Sequence, residues 1–158
     1  MNIQKTVTAG LLAATLLLGA TGCSLTSQAE NEMVAIASDG SLANIGNVKL
    51  RNMIYLSTGT GVGKLIGTAV NSGDKVVQLQ IQWVDFDLFA KTNPVLIPAG
   101  EAVSWGANPE VAALELSILG APGSNTTIWV SVDGATGLPV TVPILDGTLE
   151  QYAPYFKN

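Results

Sequence analysis

The residue with the most distinctive chemistry is Cys23, the only cysteine in the sequence. It follows a positively charged start and an apolar run over residues 7–18, and the small residues Ala20 and Gly22 come just before it. This is the layout of a bacterial secretory signal that ends at a thiol, to which a diacylglycerol group can be attached. We therefore predict that residues 1–22 form a lipoprotein signal peptide and that Cys23 is the lipidated first residue of the mature chain.

The apolar run before Cys23 is too short for a permanent membrane span. It covers about 12 residues, whereas a helix needs roughly 20 to cross a bilayer. An ordinary secretory signal with an incidental cysteine is the alternative interpretation. Export through the secretory signal would place the protein on the extracytoplasmic face of the cell membrane. Two or three acyl chains at one terminus are enough to anchor it there stably.

The residue inventory excludes most catalytic and metal chemistry. The sequence contains no histidine, so catalytic triads, Cys-His pairs and histidine metal sites are absent. If Cys23 is lipidated, no thiol remains for zinc, disulfides or nucleophilic attack. We therefore expect neither an enzyme nor a cofactor-binding protein.

The acidic balance of the chain excludes nucleic acid as a partner. The formal net charge is −5, and the basic residues are scattered along the sequence. Nucleic acid and anionic lipid headgroups both require clustered Lys and Arg side chains. We expect membrane contact through the N-terminal lipid, and the other expected partner is an envelope protein or an unidentified ligand.

Two acids, Asp85 and Asp87, stand two residues apart and would share one face of an extended segment. Together with Asp74 or Asp133 they could coordinate calcium through carboxylate oxygens. They could also be imagined as the acid and base of a glycosidase, but nothing in the sequence sets their separation. Solvated surface acids are the interpretation we prefer.

Three aromatic side chains are candidates for an exposed binding surface: Trp129, Trp105 and Tyr55. Exposed aromatic side chains can bind a sugar or a protein partner. Trp129 is the best candidate because it falls opposite the apolar set of its predicted strand. Packing of these aromatic residues in the core is the alternative.

These side chains lie on a series of short strands with two-residue alternation. Residues 48–56 place one set of side chains on the inner face (Val48, Leu50, Ile54 and Leu56) and another on the outer face (Lys49, Arg51, Met53 and Tyr55). Residues 65–70 and 75–83 flank a turn signal, which predicts an antiparallel hairpin. Further strands are predicted at residues 33–37, 95–97, 102–105, 115–119, 126–132 and 139–145.

About seven short strands separated by Gly-, Pro- and Asp-containing turns are typical of an antiparallel, immunoglobulin-like β-sandwich. We predict an all-β domain over residues 33–158, joined to the lipidated terminus by a polar tether over residues 23–32. The tail over residues 146–158 is expected to include a helical turn. Its aromatic side chains should pack back on the domain.

Several segments resemble the PCuAC-type periplasmic copper chaperones. Residues 48–74 end in V-N-S-G-D, residues 97–101 read I-P-A-G-E, and residues 113–119 and 126–142 match the later strands of that family in order. Residues 38–40, 48–52 and 143–152 also resemble actinobacterial LpqE-like lipoproteins. The resemblance covers most of the mature chain and implies a cupredoxin-like or immunoglobulin-like sandwich at the outer face of the cytoplasmic membrane.

The resemblance also implies where copper ligands would lie. The chaperones hold Cu(I) with histidine and methionine, including a His-x-Met pair just after the I-P-A-G-E strand. Here residues 111–116 contain neither residue type, so no metal ligand is carried over. We expect a non-enzymatic binding or structural lipoprotein. A copper-handling protein with a degenerate site, using Met33 and Met53, is the alternative.

Overall fold

The computed structural model describes residues 39–157. The predicted signal peptide, Cys23, the tether, Met33 and the strand over residues 33–37 lie outside the described residues. No helix in residues 39–157 is long and apolar enough to cross a membrane. The described elements are β1 (Ser41–Ile45), β2 (Val48–Leu56), β3 (Gly63–Asn71), β4 (Val77–Val84), β5 (Ala90–Ile97), β6 (Ala102–Trp105), β7 (Leu114–Leu116), β8 (Asn125–Val132), β9 (Leu138–Leu145) and a 3₁₀ helix (Ala153–Phe156).

The strands form two antiparallel layers that join along one side. Strands β1, β6 and β7 extend the β2–β3 pair, and the second layer has the order β5-β4-β8-β9. A short parallel pairing connects β2 to β9, with Tyr55 opposite Ile144 and Leu56 opposite Leu145. The fold is therefore an all-β, cupredoxin-like sandwich, as the sequence predicted.

The second layer follows the predicted alternation closely. In β4, Leu79, Ile81 and Trp83 are buried, while Gln78 and Gln82 are exposed. In β8, Ile128 and Val130 are likewise buried. One face of this layer therefore contributes to the main core, and its other face meets solvent.

Strand β2 departs from its predicted alternation at Asn52. The pairing with β3 shifts between Arg51 and Ile54, and Asn52 has a φ of 52°. This bulge inserts one extra residue, so the side chains after it change face. The prediction that Met53 and Tyr55 lie on the outer face, opposite Val48 and Leu50, is wrong, because both are fully buried with Val48 and Leu50 in the main core.

Strands β3 and β4 do not form the predicted hairpin. Strand β3 pairs with β2, β6 and β7, whereas β4 pairs with β5 and β8. The turn over residues 72–76 therefore carries the chain from one layer to the other. Asn71 lies at this crossing and is fully buried.

The pairings define two ends of the sandwich. Strands β2 and β9 end side by side, so the loops over residues 57–62, 85–89 and 117–124 share one end, which we call the apical end. The loops over residues 46–47, 72–76, 98–101 and 133–137 lie at the opposite, basal end.

The C-terminal tail packs back on the domain, as predicted, and the structure shows that it covers the outer face of β2 and β3. Tyr152 and Tyr155 are buried in a second apolar cluster with Ile54, Leu56 and Ile66, and Phe156 packs against it. The hydroxyl of Tyr155 donates to the carbonyl of Gly106 at 2.7 Å. This cover explains why β2 has buried side chains on both faces.

Candidate functional site

Only Trp129 of the three predicted aromatic residues lies on the surface. Its side chain is 48% exposed on the outer face of the second layer. Trp105 and Tyr55 are buried in the main core, so their assignment to an exposed binding surface is wrong. The side chain of Tyr55 points into the core because of the bulge at Asn52. Trp105 is the last residue of β6 and lies on the core-facing side of that strand.

The neighbours of Trp129 on this face are uncharged. Gln82 lies opposite it on β4 and Pro139 lies opposite it on β9. Gln78 and Gln80 continue the outer face of β4, and Thr127 lies on the same face of β8. The face therefore combines one large aromatic side chain with uncharged hydrogen-bonding groups, a composition suited to a protein contact.

Tyr55 has a structural role at the apical end. Its hydroxyl donates to the carbonyl of Leu116 at 2.8 Å and accepts hydrogen bonds from the backbone amides of Gly63 at 3.0 Å and Ile118 at 3.2 Å. Gly63 allows this approach, because a Cβ built there would lie 2.5 Å from the ring of Tyr55. The hydroxyl thus connects β3 to the segment that follows β7.

Trp105 and Trp83 bring polar atoms into the core. Within residues 39–157, their indole nitrogens are buried without a hydrogen-bond partner. Both rings nevertheless belong to the main apolar cluster. We therefore interpret both as core residues whose large apolar area outweighs one unsatisfied N–H group.

The four acids considered for calcium do not form one site. Asp85 and Asp87 lie in an apical loop, whereas Asp74 and Asp133 lie in basal loops. Among the described residues, no group of three or more Asp, Glu, Cys or His side chains could hold a metal ion. Asp133 instead accepts a hydrogen bond from the amide of Gln78 at 2.8 Å.

Asp85 is not the solvated surface acid that we predicted, because its side chain is buried at the base of the β4–β5 loop. Its Oδ1 accepts hydrogen bonds from the amides of Asp87 at 2.9 Å and Phe89 at 2.8 Å, and its Oδ2 lies 3.3 Å from Lys91 Nζ. Burial alone would raise the pKa of this carboxyl. The hydrogen bonds from Phe89, Lys91 and Asp87 outweigh that effect and hold the pKa below its usual value.

We expect the Asp85→Ala variant to loosen the β4–β5 loop without unfolding the domain. Two backbone amides lose a charged acceptor, so their hydrogen exchange should accelerate about tenfold. The wild-type loop should loosen in the same way as pH falls through the lowered pKa, because a depressed carboxyl pKa stabilises the fold only above that pH. Amide exchange measured by NMR tests both effects, with Asp87→Ala as the control. Unchanged exchange at Phe89 would contradict the prediction.

The sequence analysis did not identify the exposed apolar side chains of the loop that is hydrogen-bonded to Asp85. Phe86, Leu88 and Phe89 are all exposed there, with Leu88 at 81% and Phe89 at 65%. Leu88 has a φ of 66°, a conformation that a branched side chain rarely adopts. The available signal was the segment 84–89, in which large apolar residues flank two acids without a turn glycine.

The region in which the resemblance implies copper ligands forms a shallow cleft. Residues 111–113 belong to the loop between β6 and β7, and β7 contains Leu114 and Leu116. The cleft has a volume of about 520 Å³ and is lined by Lys64, Pro109, Glu110, Val111, Ala112, Ala113, Glu115 and Tyr155. It contains no sulfur or imidazole, the ligand types that suit Cu(I).

Tyr152 connects the tail to the start of the described chain. Its hydroxyl donates to Asp39 Oδ2 at 2.9 Å, and Gln151 donates to the same oxygen at 3.2 Å. Burial, followed by the hydrogen bond and charge of Asp39, raises the pKa of Tyr152 to about 12.

We expect the domain to lose stability between about pH 10 and pH 12. A phenol whose folded pKa lies above its unfolded value of 10 favours folding fully below pH 10, and this contribution disappears as pH rises through about 12. Denaturant unfolding at pH 9 to 12 should show a shallower alkaline decline for Tyr152→Phe than for the wild type. An identical decline in both proteins would contradict the assignment.

Comparison with known proteins agrees with the all-β class defined by the strands. The structure is similar to a copper-bound PCuAC domain from PmoF2, with a TM-score of 0.51 and 13% identity over 67% of this chain and 98% of that chain. It is also similar to the apo PmoF2 PCuAC domain, with a TM-score of 0.53 and 14% identity over 69% and 98%. No protein-family model and no curated protein matches the sequence. At these identities the likeness shows the fold, which is that of PCuAC domains.

Proposed function

We propose that this protein is a lipid-anchored, extracytoplasmic binding module without catalytic chemistry. In this proposal the outer face around Trp129 contacts another envelope protein. The observation that carries it is the exposure of Trp129 in the middle of β8, between Gln82 and Pro139. Tryptophan is enriched among the residues that dominate binding energy in protein interfaces, because its large area leaves water on contact.

The proposed anchor is the lipid at Cys23, supported by the secretory pattern before it. The absence of histidine from the sequence argues against the common triads. The dispersal of Asp85, Asp87, Asp74 and Asp133 over two ends of the sandwich argues against a paired-carboxylate hydrolase.

Copper handling is the second candidate function, and the observation that favours it is the shared fold with a domain described as copper-bound. A degenerate site would have to use methionine, and the mature sequence contains only Met33 and Met53. Met53 is fully buried in the main core, with its sulfur against Gly67. Its use as a ligand would require the core to open.

Site-specific photo-crosslinking in the full membrane-bound chain tests the proposed interface. A crosslinking amino acid at position 129 should capture a defined membrane protein, whereas the same group at Lys49, exposed on β2 in the other layer, should capture less. Trp129→Ala should then reduce co-purification of that protein by at least tenfold. Equal capture from both positions, or unchanged co-purification, would overturn the interface.

Titration of the purified full chain against a Cu(I) chelator decides between the two functions. The binding-module proposal expects no competition with the chelator. Competition that Met33→Leu or Met53→Leu abolishes would replace it with copper handling. The conservative Met53→Leu change preserves volume, so circular dichroism can verify that the fold survives.

A further inference from the structure

The exposed apolar side chains of the loops are concentrated at the apical end of the sandwich. Five large ones occur in the apical loops: Val62, Phe86, Leu88, Phe89 and Leu119. Among the described residues, the basal loops contribute only Val76, although Leu96 and Leu138 are exposed at the basal ends of β5 and β9, and Val111 and Leu149 are exposed in loops assigned to neither end. What distinguishes the apical end is that three of its exposed apolar side chains, Phe86, Leu88 and Phe89, belong to a single loop.

We propose that residues 85–89, here called the finger, insert into the interfacial region of the membrane and hold the domain with its apical end against the lipid. The finger connects two paired strands, β4 and β5, and its tip presents Phe86, Leu88 and Phe89 to solvent. A group of exposed phenylalanine and leucine side chains suits the boundary between lipid headgroups and acyl chains.

The finger has its own network of internal hydrogen bonds before any contact is made. Asp85 accepts two amide hydrogen bonds from inside the loop, and the backbone adds bonds from Asp85 to Phe89 at 2.9 Å and from Leu88 to Asp85 at 3.0 Å. The apolar side chains are therefore held in water by internal bonds, and insertion would require little further ordering of the loop.

The charges around the finger limit insertion to a shallow depth, because an exposed carboxylate stays in contact with water. The carboxylate of Asp85 is buried against Lys91, which leaves Asp87 as the exposed acid of the finger. The side chain of Lys91 is half exposed, and its Nζ lies 5.8 Å from the centre of the Phe89 ring. Because this side chain is half exposed, its ammonium group can contact a lipid phosphate while it stays paired with Asp85, and its methylene groups stay with the apolar tip.

The chain length before the described domain allows this orientation. The proposal rests on the proposed anchor at Cys23, from which residues 23–38 reach at most roughly 55 Å. A domain of this size has a radius of gyration of roughly 14 Å. The tether therefore keeps the domain close to the bilayer without selecting which end faces it, and the finger supplies that selection.

A fluorescent probe on the reconstituted full chain tests the finger. Leu88→Cys and, as a basal control, Ala135→Cys each supply a thiol for an environment-sensitive label in phosphatidylcholine vesicles. The label at position 88 should shift to shorter wavelength, brighten severalfold and be quenched by nitroxide lipids. The label at position 135 should keep the spectrum it has in water. Phe89→Cys should repeat the result for position 88.

Three outcomes would overturn the proposal that the finger inserts into the membrane. They are a spectrum at position 88 like that in water, the same shift without vesicles, or a shift that appears only after another membrane protein is added. The last would assign the finger to a protein contact. Labelling of the wild-type chain tests the anchor separately, because Cys23 is its only cysteine and takes up the label only if it is not lipidated. In that case Cys23→Ser chains are labelled at position 88 and added to vesicles from solution.

Discussion

Replacing Asn71 by aspartate is expected to lower the free energy of unfolding by about 4 kcal/mol at neutral pH. The side-chain amide of Asn71 donates to the carbonyls of Lys75 at 2.6 Å, Pro98 at 3.1 Å and Ile97 at 3.2 Å. In the aspartate variant, a carboxylate oxygen would face these three carbonyl oxygens inside a fully buried site. The only hydrogen bond left to the side chain would be the one that it accepts from the backbone amide of Gly73.

The pH dependence of the Asn71→Asp variant separates this mechanism from general loss of packing. Burial and the facing carbonyls should raise the pKa of the new carboxyl, so the variant approaches wild-type stability below about pH 4 and loses it as pH rises. Urea unfolding from pH 3 to pH 7 measures this trend. The isosteric control is Asn125→Asp, at the exposed start of β8, which should change stability by less than about 0.5 kcal/mol. A penalty that does not depend on pH would contradict the argument.

The parts of the fold that were predicted correctly depend on local pattern. Strands β4 and β8 each have one face in the core and one in solvent, so apolar and polar side chains alternate along them. This alternation can be recognised from the sequence of each strand alone. The exposure of Trp129 follows from the same phase in β8.

The errors arise where the backbone changes phase or crosses between layers. Asn52 tolerates the left-handed conformation of the bulge, but several residue types could have filled that position in a regular strand. The turn after Asn71 has the residues of a tight reversal whether the next strand pairs with β3 or joins the other layer. Pairing partners are set by the whole sheet, so no local signal could have placed β4.

The candidate site was only partly accessible to sequence reasoning for the same reason. Tyr55 and Trp105 were assigned to the surface because their burial depends on the bulge and on the edge pairing of β6. The burial of Asp85 depends on amides donated from within its own loop and on Lys91 across the hairpin. These contacts become visible only once the loop conformation is known.

Removing the hydroxyl of Tyr55, in the variant Tyr55→Phe, is expected to cost about 3 kcal/mol of unfolding free energy. The change preserves the ring but leaves the buried amides of Gly63 and Ile118 without their acceptor and the carbonyl of Leu116 without its donor. Urea unfolding measures the loss, and faster hydrogen exchange at Gly63 and Ile118 locates it. Tyr155→Phe is the matched control, because that hydroxyl makes a single bond to the carbonyl of Gly106 and should cost only about 1 kcal/mol. An equal loss in the two variants would mean that the apical backbone finds other partners, and that the position of Tyr55 is maintained by ring packing alone.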